Sequence, residues 1–211
     1  MTDDHSVDLR NVLHALRKHG LLLLHDASLP SVSSLVAREA VRGSWWAHPA
    51  SHDIYRVEEE LKQHADVVVV KLVSGKDTFV HRRLWSALLA VATARETWQL
   101  AGLSSTAGKL LDAVDASGAL RTDDVPSAAK GSIGNAAREL ERRLLVHSDE
   151  VHTERGAHAK RLESWRRWAR RAGATKGRLT AAQGRRQFEE TLAAQIASSG
   201  GRGRLPWERK R

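Results

Sequence analysis

The stretch "SIGNAARELERRLLVHSDEVHTERGAHAKRLESW", Ser132–Trp165, decides the fold of this chain. Its first part places Ile133, Ala137, Leu140 and Leu144 on one stripe at helical spacing, with charged residues around it. Then the period changes. Two extended segments flank the turn "TERG" (Thr153–Gly156), which reads as a β-hairpin following a long helix. Upstream, "SSTAGKLLDAVDASG" (Ser104–Gly118) predicts a helix with a serine N-cap, inward Leu110, Leu111 and Val114, and a glycine stop. Between the two, "ALRTDDVPSAAKG" (Ala119–Gly131) holds a turn and at most one or two helical turns. Helices followed by a hairpin are the order of a winged helix-turn-helix, expected here over residues 101–165.

The segment before it alternates helical and extended patterns. "VDLRNVLHALRKHG" (Val7–Gly20) spaces Leu9, Val12, Leu13 and Leu16 as a helix ending at glycine, and "LLLLHD" (Leu21–Asp26) reads as a short buried strand. "SHDIYRVEEELKQHADV" (Ser51–Val67) is a helix with Ile54, Val57 and Leu61 inward and Glu58–Glu60 outward. "DVVVVKLVSGKDTFVHRRLW" (Asp66–Trp85) gives two strands joined at Ser74–Gly75. Residues 1–100 are therefore expected to form a small α/β unit with a β-hairpin, so that the fold class is α+β. Beyond it lie the winged helix, a basic helical extension over 166–198 and a disordered basic tail over 199–211.

The chain has no cysteine, which excludes disulfides, thiolate metal sites and cysteine nucleophiles. Its start is acidic and no apolar run approaches bilayer length, so no secretion signal and no membrane span are expected, and the reading is cytoplasmic. Of 34 Lys+Arg and 25 Asp+Glu, residues 1–105 carry twelve of each, which leaves the whole surplus of nine in residues 106–211. A localised basic surplus is the electrostatic footprint of a polyanion binder.

On the predicted third helix of the winged unit, Ser132, Asn135, Arg138, Glu139 and Arg142 face outward. Asn and Arg suit base edges, and a serine near a helix start suits a phosphate. Lys130 before it, and Arg155, His158 and Lys160 in the wing, are placed to reach the flanking backbone. In "SWRRWARRAGATKGR" (Ser164–Arg178), Arg166, Arg167, Arg170 and Arg171 interleave with Trp165 and Trp168, so arginines can track phosphates while the tryptophans pack. His152, Glu154 and His158 are metal-ligand types, but three loosely spaced donors without a fourth do not define a site, and no metal or cofactor is expected.

"GSWWAHPASH" (Gly43–His52) gathers two tryptophans and two histidines. With His81, the residues His48 and His52 are the candidates for acid/base chemistry, although Pro49 interrupts the helical spacing of the first two. Trp46 and His48 are expected to face the core.

"LLVHSDEVHTERGAHAKRLESW" (Leu144–Trp165) and the helix before it resemble bacterial winged-helix DNA-binding proteins related to the interstrand-crosslink-repair DNA glycosylases, over about residues 80–170. That resemblance implies a DNA-binding module built on winged helices. The glycosylase members carry a Gln-x-Gln motif, which this sequence lacks. The expectation is thus a DNA-binding protein of repair or regulation that prefers duplex DNA. A nucleic-acid-processing enzyme, nuclease or glycosylase-like, is the first alternative. The second is an adaptor that binds a protein partner through the N-terminal unit.

Overall fold

A computed structural model describes residues 2–125, 130–152 and 158–208, with side chains described over 7–125, 133–151 and 159–208. The fold is α+β, with two antiparallel three-stranded sheets among the described residues. Contacts divide the chain into two units. The first runs to Trp85 and takes up the chain again from Arg185, and the second is Ser86–Gly184.

In the first unit, α1 (Thr2–His19) buries Val12 and Leu16 and ends where Gly20, at φ +83°, donates its N–H to the Leu16 carbonyl at 2.7 Å. β1 (Leu21–Leu23) follows, fully buried. α2 (Val32–Ala37) is capped by Ser31, whose hydroxyl accepts from the Ser34 N–H. A 3-10 turn at Trp45–Ala47 leads into α3 (Ser51–Gln63), which buries Ile54, Val57 and Leu61 as its spacing predicts. Glu58 departs from the outward expectation: it is buried, and its carboxylate meets Lys62 Nζ at 2.7 Å one turn on.

β2 (Val67–Lys71) and β3 (Asp77–His81) are joined through a 3-10 turn at Val73–Gly75, and β3 takes the centre of the sheet order β1-β3-β2. Register sets Leu21 opposite Val80 and Val67 opposite His81. Phe79 on the central strand is fully buried among Leu16, Leu22, Val32 and Ile54.

α4 (Trp85–Ala92) is apolar on all sides and carries the chain from one unit into the next. α5 (Thr97–Leu100) opens with a capping box between Glu96 and Gln99. α6 (Ser105–Ser117) is capped by Ser104 and stops at Gly118, φ +79°, as expected. The turn region after it holds a strand not foreseen from the sequence, β4 (Ala119–Arg121). α7 (Lys130–Arg142) precedes β5 (His147–His152) and β6 (His158–Glu163), and the sheet order is β4-β6-β5. Ala107, Leu110, Leu111, Val114, Ala136, Ala137, Leu140 and Leu162 form one core. α8 (Trp165–Ala172) follows at once, capped by Ser164.

The expected boundaries at 100, 165 and 198 differ from this division, because α9 (Ala181–Ser199) leads back to the first unit. Its stripe Phe188, Leu192 and Gln195 is buried, and Gln195 Nε2 donates to the Leu21 carbonyl of β1 at 2.8 Å. The tail expected to be disordered is packed as far as it is described. Ser74 N–H donates to the Arg204 carbonyl at 2.8 Å, and Leu205 is 1% exposed. A Cβ on Gly201 would stand 2.8 Å from Leu29, so the backbone itself fills that space. Burying an aliphatic side chain outweighs the ordering of a few glycine-rich residues.

Leu205→Ala is accordingly expected to lower stability by about 2–3 kcal/mol. A urea unfolding curve checks it, since a free tail gives no change in the midpoint.

Candidate nucleic-acid interface

α7 turns Ile133, Ala136, Ala137 and Leu140 into the core, which leaves Asn135, Arg138 and Arg142 on one exposed stripe. A shallow cleft of about 400 Å³ runs along it, lined by Asn135, Arg138, Glu139, Arg142 and Arg143. Arg138 Nη1 donates to Asn135 Oδ1 at 2.9 Å, which presents the two side chains together. Arg142 has no hydrogen-bond or ion-pair partner among the described residues.

Glu139, expected to face outward, anchors the helix. Its carboxylate accepts from the Ser104 hydroxyl at 2.7 Å and the Ser104 N–H at 3.3 Å, at the start of α6. Arg143 works from the other side of the same turn. It donates to the carbonyls of Trp98, Gln99 and Ala101, the last at 2.7 Å, and so satisfies the end of α5. These two residues fix α7 against the α5–α6 turn, a role that helical spacing alone cannot reveal.

Lys160, expected at phosphate, is committed inside the unit. Its ammonium lies on the buried Glu141 carboxylate, at 2.5 and 2.8 Å, and Ser148 donates to the same carboxylate. Removing either partner would strand a buried charge. Lys130, Ser132 and His158 have no described side chains, and Arg155 lies outside the described residues.

The four arginines of α8 divide into two pairs. Trp165 and Trp168 are both buried, their rings edge-on at 5.4 Å, and Trp165 Nε1 donates to the Leu144 carbonyl at 2.9 Å. Glu163, 1% exposed, draws Arg171 to 2.9 Å and Arg167 to 3.6 Å. Arg166 and Arg170 are exposed and have no partner among the described residues. His147 lies against both tryptophans, 5.7 and 5.9 Å between ring centres, and 3.8 Å from Glu163. Burial holds its pKa below the usual histidine range, against the pull of Asp149 and Glu163 and with the help of Arg171 and Arg161.

The candidate acid/base histidines do not assemble: among the described residues no hydrogen bond joins any two of them. His48 Nε2 meets Glu39 at 3.1 Å while its Nδ1 accepts from the Ala50 N–H, and His81 Nδ1 accepts from the Arg83 N–H. His52 is exposed at the start of α3. No group of three or more His, Cys, Asp or Glu that could hold a metal occurs among the described residues. The sequence places Trp46 in the core, and the structure places it outside. It is 61% exposed, stacked at 3.9 Å on the buried Trp45, because successive residues of a 3-10 turn point about a third of a turn apart. No helix among the described residues is long and apolar enough to cross a membrane.

Compared with known proteins, the chain matches no family model, no curated protein and no solved structure.

His147 makes stability pH-dependent. Its folded pKa lies below the unfolded value of about 6.5, so the unfolded chain takes up the proton first as pH falls. His19 and His81, also lowered with burial as the first cause, act in the same direction. The contribution is intact above about pH 6.5 and declines below it. Urea midpoints measured from pH 7.5 to 5.5 are expected to fall, and His147→Gln is expected to flatten that slope.

Proposed function

We propose that residues 86–184 are a winged-helix DNA-binding unit that docks on duplex DNA through α7 and α8, in repair or regulation. The observation that carries this reading is the exposed stripe Asn135–Arg138–Arg142, with Arg166 and Arg170 also exposed and, like Arg142, unpartnered among the described residues. From Asn135 to Arg142 a helix rises roughly 10 Å, about three base steps along a strand. Arg and Asn are the side chains that read G and A edges by paired hydrogen bonds. The order α6, α7, β5, β6, with β4 added to the hairpin, fits the winged-helix plan, in which a helix enters the major groove.

Cations already neutralised by buried carboxylates have little left for phosphates. The reading therefore assigns contact to Arg138, Arg142, Arg166 and Arg170, and assigns Lys160 and Arg171 to holding the unit together. In binding titrations with duplex DNA, log K is expected to fall linearly with log salt, at a slope of about −0.9 per phosphate neutralised. Arg166→Gln and Arg170→Gln should weaken all sequences equally, each flattening the slope by about 0.9. Arg142→Ala should cost about 1–3 kcal/mol on a preferred site and less elsewhere. Binding that ignores salt, or no duplex binding at all, excludes this reading.

A further inference from the structure

Counted by unit, the surplus charge is not confined to the DNA-binding candidate. The first unit holds eighteen Lys+Arg against fourteen Asp+Glu, and the second sixteen against eleven. Within the first unit the cations are gathered by strand pairing. β1 and β3 align Leu21 with Val80, and the His81 N–H donates to the Gly20 carbonyl at 2.9 Å. That register sets the last turn of α1, Arg17–Lys18–His19, beside His81–Arg82–Arg83.

Arg83 ties the two segments. Its Nη2 donates to the Lys18 carbonyl at 3.2 Å, and a Cβ at Gly20 would stand 2.5 Å from that nitrogen. Glycine is favoured there by its φ of +83°, and its bare Cα leaves the room that the Arg83 guanidinium takes. Arg17, Lys18, Arg82 and Arg83 are exposed, and His19 and His81 half-buried. A single carboxylate, Asp66, meets this set among the described residues, at 2.9 Å from Arg82. Arg17 and Lys18 have no side-chain partner there. Both histidines register the crowding. His19 is lowered by burial, then by Lys18 and Arg83, and His81 by burial, then by Arg83, Arg17 and Arg82 against the pull of Asp66.

Some positive charge at the end of α1 is accounted for by the helix dipole. Arg83 already supplies a charged donor to that end, so Arg17 and Lys18 are in excess of what the helix needs. We propose that this edge, Arg17–Lys18–His19 with His81–Arg82–Arg83, is a second phosphate-contact surface that binds the nucleic-acid backbone without regard to sequence. It rests on the nucleic-acid reading of the chain but uses different residues in the other unit. The chemistry favours phosphates over a bilayer or a protein partner. Among the described residues the exposed large apolar side chains are Trp46, Tyr55 and Leu100, and none belongs to this edge. Nothing there would insert into a lipid surface or anchor a hot spot. A set of guanidinium and ammonium groups on a paired helix end and strand end suits a regular row of phosphates.

The test uses the full chain with a 20-bp duplex, against R17Q/K18Q and, separately, R142Q/R166Q/R170Q. R17Q/K18Q alters two exposed side chains and is expected to leave the thermal midpoint unchanged. It should weaken binding to unrelated duplexes alike and reduce the salt slope by roughly 1.8, two phosphates' worth. An unchanged affinity and slope in R17Q/K18Q, while the triple variant loses binding, overturns the edge and leaves the reading of residues 86–184 standing. The reverse pattern keeps the edge and overturns that reading. Vesicles rich in phosphatidylserine form the control: vesicle binding abolished by R17Q/K18Q with duplex binding intact also overturns the edge.

Discussion

A carboxylate withdrawn from water sets the outer surface of the second unit. Glu163 ends the central strand of the sheet, between Ala119 of β4 and His147 of β5, and is 1% exposed. An unpaired carboxylate there would cost several kcal/mol, so cations must come to it. Arg171 and Arg167 do, eight and four residues along the chain, and Arg161 approaches from the strand itself at 3.7 Å. With Trp165 and Trp168 also turned inward, only the opposite side of α8 remains for Arg166 and Arg170. All four arginines of α8 are exposed, but Arg167 and Arg171 are claimed by Glu163, and Arg166 and Arg170 have no partner among the described residues.

α7 is fixed by the same kind of constraint. Glu141 is buried and takes Lys160 and Ser148, which ties the helix to both strands of the hairpin. Glu139 and Arg143 bind the polar groups of the turn before α6. The Glu141 contacts satisfy a carboxylate that packing would otherwise strand. Charged residues of α7 thus have two fates. Those engaged with backbone or buried partners set the rotation of the helix, and Asn135, Arg138 and Arg142 are left on the stripe that this rotation exposes.

The helical stripes were legible in the sequence because their apolar spacing repeats over several turns: Ile54, Val57 and Leu61, or Ile133, Ala137 and Leu140. β4 was not, since three half-buried residues, Ala119–Arg121, carry no period, and their pairing with β6 depends on a partner about forty residues away. Glu58 reads as a surface charge, and nothing in the sequence marks Glu141 or Glu163 as buried, because burial of a carboxylate depends on a cation brought by another turn or strand. Which of the two adjacent tryptophans enters the core depends on the 3-10 turn, which buries Trp45 and turns Trp46 outward, and the sequence carries no sign of that turn. Of the candidate interface, the residue types on α7 and α8 were legible. Which cations were already spent on carboxylates was not.

Linear position also misled the reading of charge. Residues 1–105 are neutral as a stretch of sequence, but a unit of the fold is not a stretch of sequence. Phe188, Leu192 and Leu205 bring the basic C-terminal segment into the first unit, where Gln195 binds the β1 backbone. Net charge is moreover a poor guide to local potential, which falls away within about a Debye length of 8–10 Å. The first unit keeps Glu58, Glu59 and Glu60 on α3 and collects Arg17, Lys18, Arg82 and Arg83 where β1 and β3 meet the end of α1. The local potential follows that set, and strand register, which composition does not contain, is what assembles it.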